Sequence, residues 1–140
     1  MIKPIVLALV AGGTLVAADS AWKASLDSQN GSKVSGSAEV KAKSTDSTMM
    51  SVKIKNGMAA TVYAWHMHNG SCTAGGDVVG VATAYPQITT DSTGEGRSEA
   101  SLAVAPPNTG AYSVHVHAPS TDSKAIGQTV ACGDLKAVKE

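Results

Sequence analysis

The feature that most restricts the fold of this chain is an alternation of apolar and polar residues with a period of two. Successive side chains of a β-strand point to opposite faces of a sheet, so the pattern predicts strands with one buried and one solvent-exposed face. The apolar positions of the six predicted strands are Trp22, Ala24 and Leu26; Val34, Gly36, Ala38, Val40 and Ala42; Met50, Val52 and Ile54; Tyr63, Trp65 and Met67; Ala100, Leu102 and Val104; and Tyr112, Val114 and Val116.

Turn-forming residues separate these segments, in the stretches 29–31, 56–57, 93–96 and 106–110. No window of about a dozen residues sustains the apolar stripe of an amphipathic helix. Several short strands joined by such turns predict an all-β domain, an antiparallel Greek-key β-sandwich or flattened barrel of about seven or eight strands. The glycine-rich stretch 69–77 is expected to be the most irregular loop.

The first eighteen residues have the layout of a secretory signal peptide. Lys3 precedes an apolar run from Ile5 to Val16, and the small residues Ala17 and Ala18 follow it. We expect cleavage after Ala18, which leaves residues 19–140 as a single domain exported to the periplasm or the extracellular space. The run is shorter than the roughly 20 apolar residues of a membrane span, so no stable span is expected after cleavage.

The charge balance and the cysteine content restrict the class of protein and the state of its two cysteines. Lysine and arginine together number 11, as do aspartate and glutamate, so a strongly basic nucleic-acid binder is excluded. Export to an oxidising compartment favours one disulfide between Cys72 and Cys132. Free thiols and metal ligands are the alternatives for the two cysteines.

All four histidines fall in two His-x-His pairs, His66 with His68 and His115 with His117, each within a predicted strand. Residues two apart on a strand share a face, and the apolar sets of both strands occupy the other face. If the two strands are neighbours, four imidazoles converge on the outer, exposed surface of the sheet. Such a set suits Cu(II), with Zn(II) as second choice, and offers no oxygen ligands to Ca(II) or Mg(II).

A structural interpretation of these residues competes with the metal site. An exposed strand can carry histidines for solubility alone, and one His-x-His pair is a weak signal. Two pairs that include every histidine of the chain favour metal binding, because unselected placement would scatter them.

Three short segments resemble the Cu/Zn superoxide dismutase family. Residues 64–73, Ala-Trp-His-Met-His-Asn-Gly-Ser-Cys-Thr, resemble its copper-ligand strand and the loop that bears a disulfide cysteine. Residues 130–135, Val-Ala-Cys-Gly-Asp-Leu, are similar to the context of its second cysteine. The resemblance implies a Greek-key barrel with copper on its outer face, and it carries over His66 and His68 as copper ligands.

The segment 112–119 resembles the strand that supplies the last copper histidine of that family, which makes His117 a third ligand. His115 has no counterpart and is included on geometry alone. No histidine lies between His68 and His115, so the zinc subsite is missing. Thr129 stands where the family keeps a substrate-guiding arginine, which weakens the attraction of a small anion.

Residues 64–80 also resemble a segment of secreted CHRD domains, Ala-His-Ile-His-x-Gly with a following Gly-x-Val-Val, and residues 110–117 resemble their Tyr-x-x-x-His strand. Two functions therefore remain open. The first is an exported, zinc-free copper protein that dismutates superoxide through His66, His68 and His117. The alternative is a non-catalytic CHRD-like module for copper binding, copper carriage or protein interaction.

Overall fold

The computed structural model of the protein describes residues 21–108, 110–120 and 126–138. The described chain is all-β, with nine strands and one 3-10 turn at Ala82–Ala84. The strands are β1 (Ala21–Ser28), β2 (Ser35–Ser44), β3 (Ser47–Lys55), β4 (Val62–Asn69), β5 (Ile88–Thr89), β6 (Gly96–Leu102), β7 (Tyr112–His117), β8 (Thr129–Asp134) and β9 (Lys136–Val138). The predicted signal peptide, residues 1–18, lies outside the described residues. Within those described, no helix is both long and apolar enough for a membrane crossing.

The strands form one antiparallel sheet in the order β5-β4-β7-β8-β1-β2-β3-β6, and β9 pairs with the start of β1. The sheet curls into a nearly closed barrel with one seam, where β5 and β6 meet. Strands β3 and β4 are consecutive in the chain but pair with β6 and β7, so crossovers connect them as in a Greek key. The predicted antiparallel all-β fold is confirmed.

The barrel interior is built from the alternating apolar residues. Trp65, Met67, Val114 and Val116 are fully enclosed, and the apolar sets of β1, β2 and β3 pack against them. The predicted strand around residues 100–104 is displaced, because β6 ends at Leu102. Val104 lies beyond it, where its carbonyl accepts a hydrogen bond from the buried Thr48 hydroxyl at 2.9 Å.

Strand β8 has no counterpart among the predicted strands, and its burial explains why. Val130, Ala131, Cys132 and Gly133 are all buried, so the strand shows no alternation of apolar and polar residues. A Cβ atom on Gly133 would lie 2.1 Å from the carbonyl oxygen of Ser25. Only glycine allows this approach of β8 to β1.

The chain that follows β4 turns back along the same strand. The Asn69 amide donates to the Asp77 carbonyl and the Val79 amide donates to the Met67 carbonyl, each at 2.8 Å. The stretch 70–77 is irregular, as the sequence predicts. This returning segment, residues 70–87, is called the covering loop below, because it lies over the histidines of β4 and β7.

Candidate metal centre

Strands β4 and β7 are hydrogen-bonded neighbours and bring the two histidine pairs together. In their register His66 lies opposite His115, and His117 lies opposite Ala64. The ring centroids of neighbouring histidines are 4.3 Å apart for His68 and His115, 5.5 Å for His66 and His117, and 6.0 Å for His68 and His117. The four imidazoles thus occupy one patch of the sheet, opposite the core side chains of the same strands.

Three of the four histidines form a compact group. His66, His68 and His117 each offer a ring nitrogen that lies within 4.8 Å of those of the other two. Each of the three also keeps one buried ring nitrogen that has no hydrogen-bond partner among the described residues: Nδ1 of His66, and Nε2 of His68 and of His117. We call these three residues the trihistidine cluster.

The second ring nitrogen of each cluster histidine is held by a backbone group. His68 Nδ1 donates to the Gly76 carbonyl at 2.8 Å, and His117 Nδ1 donates to the Gly127 carbonyl at 3.1 Å. His66 makes a backbone hydrogen bond with Ala82. A carbonyl can only accept, so His68 and His117 carry their protons on Nδ1 and keep a lone pair on Nε2. Hydrogen bonds of this kind orient histidine ligands in metal sites.

Both carbonyls that hold Nδ1 atoms belong to glycines that approach the main chain closely. A Cβ atom on Gly76 would lie 2.0 Å from the Asn69 carbonyl oxygen, and one on Gly127 would lie 1.9 Å from the Ala118 carbonyl oxygen. Any larger residue would therefore displace the backbone there. The two glycines let the covering loop and the segment before β8 come near enough to hold the rings.

The expectation of an exposed histidine face is wrong. His66, His115 and His117 are 5%, 7% and 6% exposed, and only His68 is partly exposed. The covering loop contributes to this burial at His66, and the segment before β8 contacts His117. The Tyr85 ring, for example, lies 5.1 Å from that of His66, and its hydroxyl donates to the Val79 carbonyl at 2.6 Å. Strand alternation assigns a side chain to a face of a sheet, but it does not say what covers that face.

Burial also keeps the imidazoles neutral. Desolvation, with repulsion from neighbouring histidines, lowers the pKa of His66 and lowers the pKa values of His115 and His117 to about 4. At neutral pH these rings are uncharged, which is the form that coordinates a cation. A cation bound between His66 and His117 would not have to displace protons from these two rings.

His115 lies beside the trihistidine cluster and outside it, in contrast to the four-histidine site expected from the sequence. Its Nε2 atom and the buried Ser113 hydroxyl are hydrogen-bonded at 2.9 Å. One of its ring nitrogens lies within 4.8 Å of the sulfur atoms of Cys72 and Cys132. The two cysteines form the predicted disulfide, so the alternatives of free thiols or metal ligands do not apply to this state of the protein.

Sequence reasoning misses the groups that orient the ligands. The acceptors are backbone carbonyls at Gly76 and Gly127, and a carbonyl leaves no mark in the sequence. The position of Asp134 near Cys132 in the sequence leaves two roles open, a partner for an imidazole or, preferably, a simple turn or surface role. In the structure its Oδ1 accepts a hydrogen bond from the Cys72 amide at 2.8 Å. Its carboxylate therefore fastens the covering loop, and its charge raises the pKa of His115 against the larger effect of burial.

Three imidazoles with free lone pairs fit a borderline transition-metal ion such as Cu(II) or Zn(II). Three protein ligands leave at least one coordination position for a small molecule, as catalytic metal sites do. No protein-family model matches this chain, and no curated protein matches it either.

Proposed function

We propose that the trihistidine cluster binds one copper ion, and that the protein is an exported copper protein acting on superoxide. The single observation that carries this proposal is the convergence of three histidines, each with a buried ring nitrogen that no other described residue hydrogen-bonds. A buried polar atom left unpaired costs about 1–3 kcal/mol. Three such atoms around one point are the expected arrangement of a binding site.

Copper is preferred because divalent affinity for nitrogen ligands rises to Cu(II) and falls again at Zn(II). Bound copper supplies one-electron chemistry, which the amino acids of the cluster lack. The chain's own contribution is to fix the tautomers of His68 and His117, to keep the rings of His66 and His117 neutral and to limit access of water. His68, the partly exposed member of the cluster, marks the side from which a small anion would approach.

Copper binding or carriage without turnover is a second candidate, and the distribution of charge favours it. No lysine or arginine occurs between Lys55 and Arg97, or between Arg97 and Lys124. These two stretches contain all four histidines, so no cationic side chain adjoins a histidine in the sequence. Attraction of superoxide toward the histidines is weakened accordingly, which favours copper binding without catalysis.

Export is the proposed location for either function. It depends on the signal-peptide layout of residues 1–18, and the Cys72–Cys132 disulfide is compatible with an oxidising compartment.

Titration of the mature protein with Cu(II), followed by electron paramagnetic resonance, tests the binding step. We expect one copper per chain with nitrogen coordination, and loss of this signal in His66→Ala and His117→Ala. His115→Gln is the matched control, because its ring belongs to the same patch but not to the cluster; it should retain the signal. Copper binding that survives both cluster variants would overturn the proposal.

Superoxide dismutation by the copper-loaded protein separates the two candidates. Activity that exceeds the rate of His66→Ala under the same copper loading supports the enzyme. Stoichiometric copper uptake with no such activity supports binding or carriage.

A further inference from the structure

A second group of ligand-type atoms lies next to the trihistidine cluster. Cys72, His115 and Cys132 bring two sulfurs and one ring nitrogen within 4.8 Å of one another. Cys132 lies opposite His115 in the pairing of β7 with β8, and Cys72 lies in the covering loop. In the oxidised protein the two sulfurs are bonded to each other, so neither is a thiolate ligand.

We propose that reduction of the Cys72–Cys132 disulfide creates a second cation site with two thiolates and the His115 imidazole as ligands. The cation class is Zn(II) or another ion that prefers sulfur, since thiolates select such ions over Ca(II) and Mg(II). Two cysteines, one histidine and an open fourth position are a known ligand set for zinc in proteins. The site does not depend on copper binding by the trihistidine cluster.

The backbone positions suit this conversion. The Cα atoms of the two cysteines are 6.0 Å apart. Two thiolates at about 2.3 Å from a tetrahedral zinc ion are roughly 3.8 Å from each other, a separation that two cysteines with this Cα spacing can reach. Rotation of the two side chains supplies that movement, and the main chain can stay in place.

Hydrogen bonds hold both cysteine segments independently of the disulfide. The Cys72 amide donates to Asp134 Oδ1, and the Gly70 amide donates to the Ala111 carbonyl, both at 2.8 Å. Cys132 is fixed within β8 by its pairing with β7 and β1. The two thiols are therefore expected to stay near His115 after the sulfur–sulfur bond is broken.

His115 has a tautomer that fits the new site. When Nε2–H donates to the Ser113 hydroxyl, Nδ1 keeps its lone pair for a cation. Ser113 is completely buried, and its position in β7 holds this ring in a fixed orientation. The ring is also close to the trihistidine cluster, since its centroid is 4.3 Å from that of His68. The two sites would adjoin without sharing a required ligand.

The redox step balances with a small thiol as reductant. Its thiolate attacks the sulfur of Cys72, which is more exposed than Cys132, and forms a mixed disulfide while the Cys132 thiolate leaves and takes a proton. A second thiol molecule releases the Cys72 sulfur, which also takes a proton, and the two reductant molecules leave as their own disulfide. Binding of the cation then releases both cysteine protons to solvent.

Cobalt(II) titration of the full mature protein, with and without reduction by a water-soluble phosphine, tests the proposal. The phosphine takes up oxygen from one water molecule as it reduces the disulfide, and it adds no competing thiol. We expect near-ultraviolet thiolate-to-cobalt absorption in the reduced protein, from one cobalt ion per chain in addition to any held by the trihistidine cluster, and no such band in the oxidised protein. Zinc should abolish the band by displacement.

Three variants show whether the two thiolates and the His115 ring hold the cobalt ion together. Cys72→Ser should lose the two-thiolate band. His115→Gln should weaken cobalt binding by more than about tenfold, because even loss of an outer partner of a metal ligand costs about 10–100-fold. His66→Ala should keep the band unchanged, so failure of the copper proposal would not affect this result.

Absence of the band in the reduced protein would overturn the proposal. So would a cobalt affinity that is equal in the wild type and in His115→Gln. The second outcome is also expected if reduction unfolds the chain, because thiolates of an unfolded chain bind cobalt without help from His115.

Discussion

Replacing Gly127 by alanine should weaken copper binding through the backbone carbonyl of this residue. The added Cβ atom would lie 1.9 Å from the Ala118 carbonyl oxygen, whereas ordinary contact begins at 3.4 Å. Relief of this overlap needs a shift of about 1.5 Å, which stretches the 3.1 Å bond from His117 Nδ1 to the Gly127 carbonyl beyond hydrogen-bonding range. His117 would lose the group that fixes its tautomer, and we expect copper affinity to fall by about 10–100-fold.

Gly36→Ala is the matched control, because a Cβ atom there would lie 1.9 Å from the Lys53 carbonyl oxygen in the pairing of β2 with β3. That overlap is equally severe but does not involve the histidines. Copper affinity is measured by competition with a chelator, and the imidazole nitrogen shifts in an NMR spectrum of the metal-free protein report the tautomer of His117. Equal losses of copper affinity in the two variants, or an unchanged His117 tautomer in Gly127→Ala, would refute the reasoning.

Three further predictions concern stability, each measured by urea unfolding of the metal-free protein. Burial lowers the pKa of His117 to about 4, against 6.5 for the ordinary side chain, so the unfolded chain takes up a proton first as the pH falls. The contribution of His117 to stability should be full above about pH 6.5 and should decrease toward pH 4 by on the order of 2–3 kcal/mol. An identical pH slope in His117→Gln would contradict this. Replacing both Cys72 and Cys132 by serine should lower the free energy of unfolding by about 4 kcal/mol, because their bridge joins residues 60 apart. A loss below about 1 kcal/mol would count against that value. Tyr85→Phe should cost about 1–2 kcal/mol because it leaves the Val79 carbonyl unpaired; no measurable change would show that water replaces the hydroxyl.

The sequence predicts those strands of the fold that have one buried and one solvent-exposed face. In β1 the buried and exposed residues alternate from Trp22 to Asp27, and the sequence carries the same alternation. In β8 neither face is wet, so the period of two is lost and the strand is not recognised. Strand β5 has only two residues, which is too few for any pattern.

The candidate site also has one part that the sequence predicts and another part that it does not. The spacing of two residues assigns the histidines of each pair to one face of their strand, because the alternation of side chains follows from backbone geometry alone. The distinction between His115 and His117 depends on what lies beside each ring: the disulfide and Ser113 next to His115, the Gly127 carbonyl next to His117. These are contacts between distant parts of the chain, and no local pattern contains them.

The seam of the barrel affects whether molecules of this protein can associate through the edges of their sheets. Strand β6 would otherwise present a long row of free amide and carbonyl groups, the kind of edge onto which a strand of another molecule can add and start aggregation. The main chain before β5 covers this edge, and the Pro86 carbonyl accepts hydrogen bonds at 2.6 Å from both the Trp65 indole and the Ser98 hydroxyl. A single carbonyl thus ties β4 and β6 together across the gap and makes the edge a poor template for intermolecular growth.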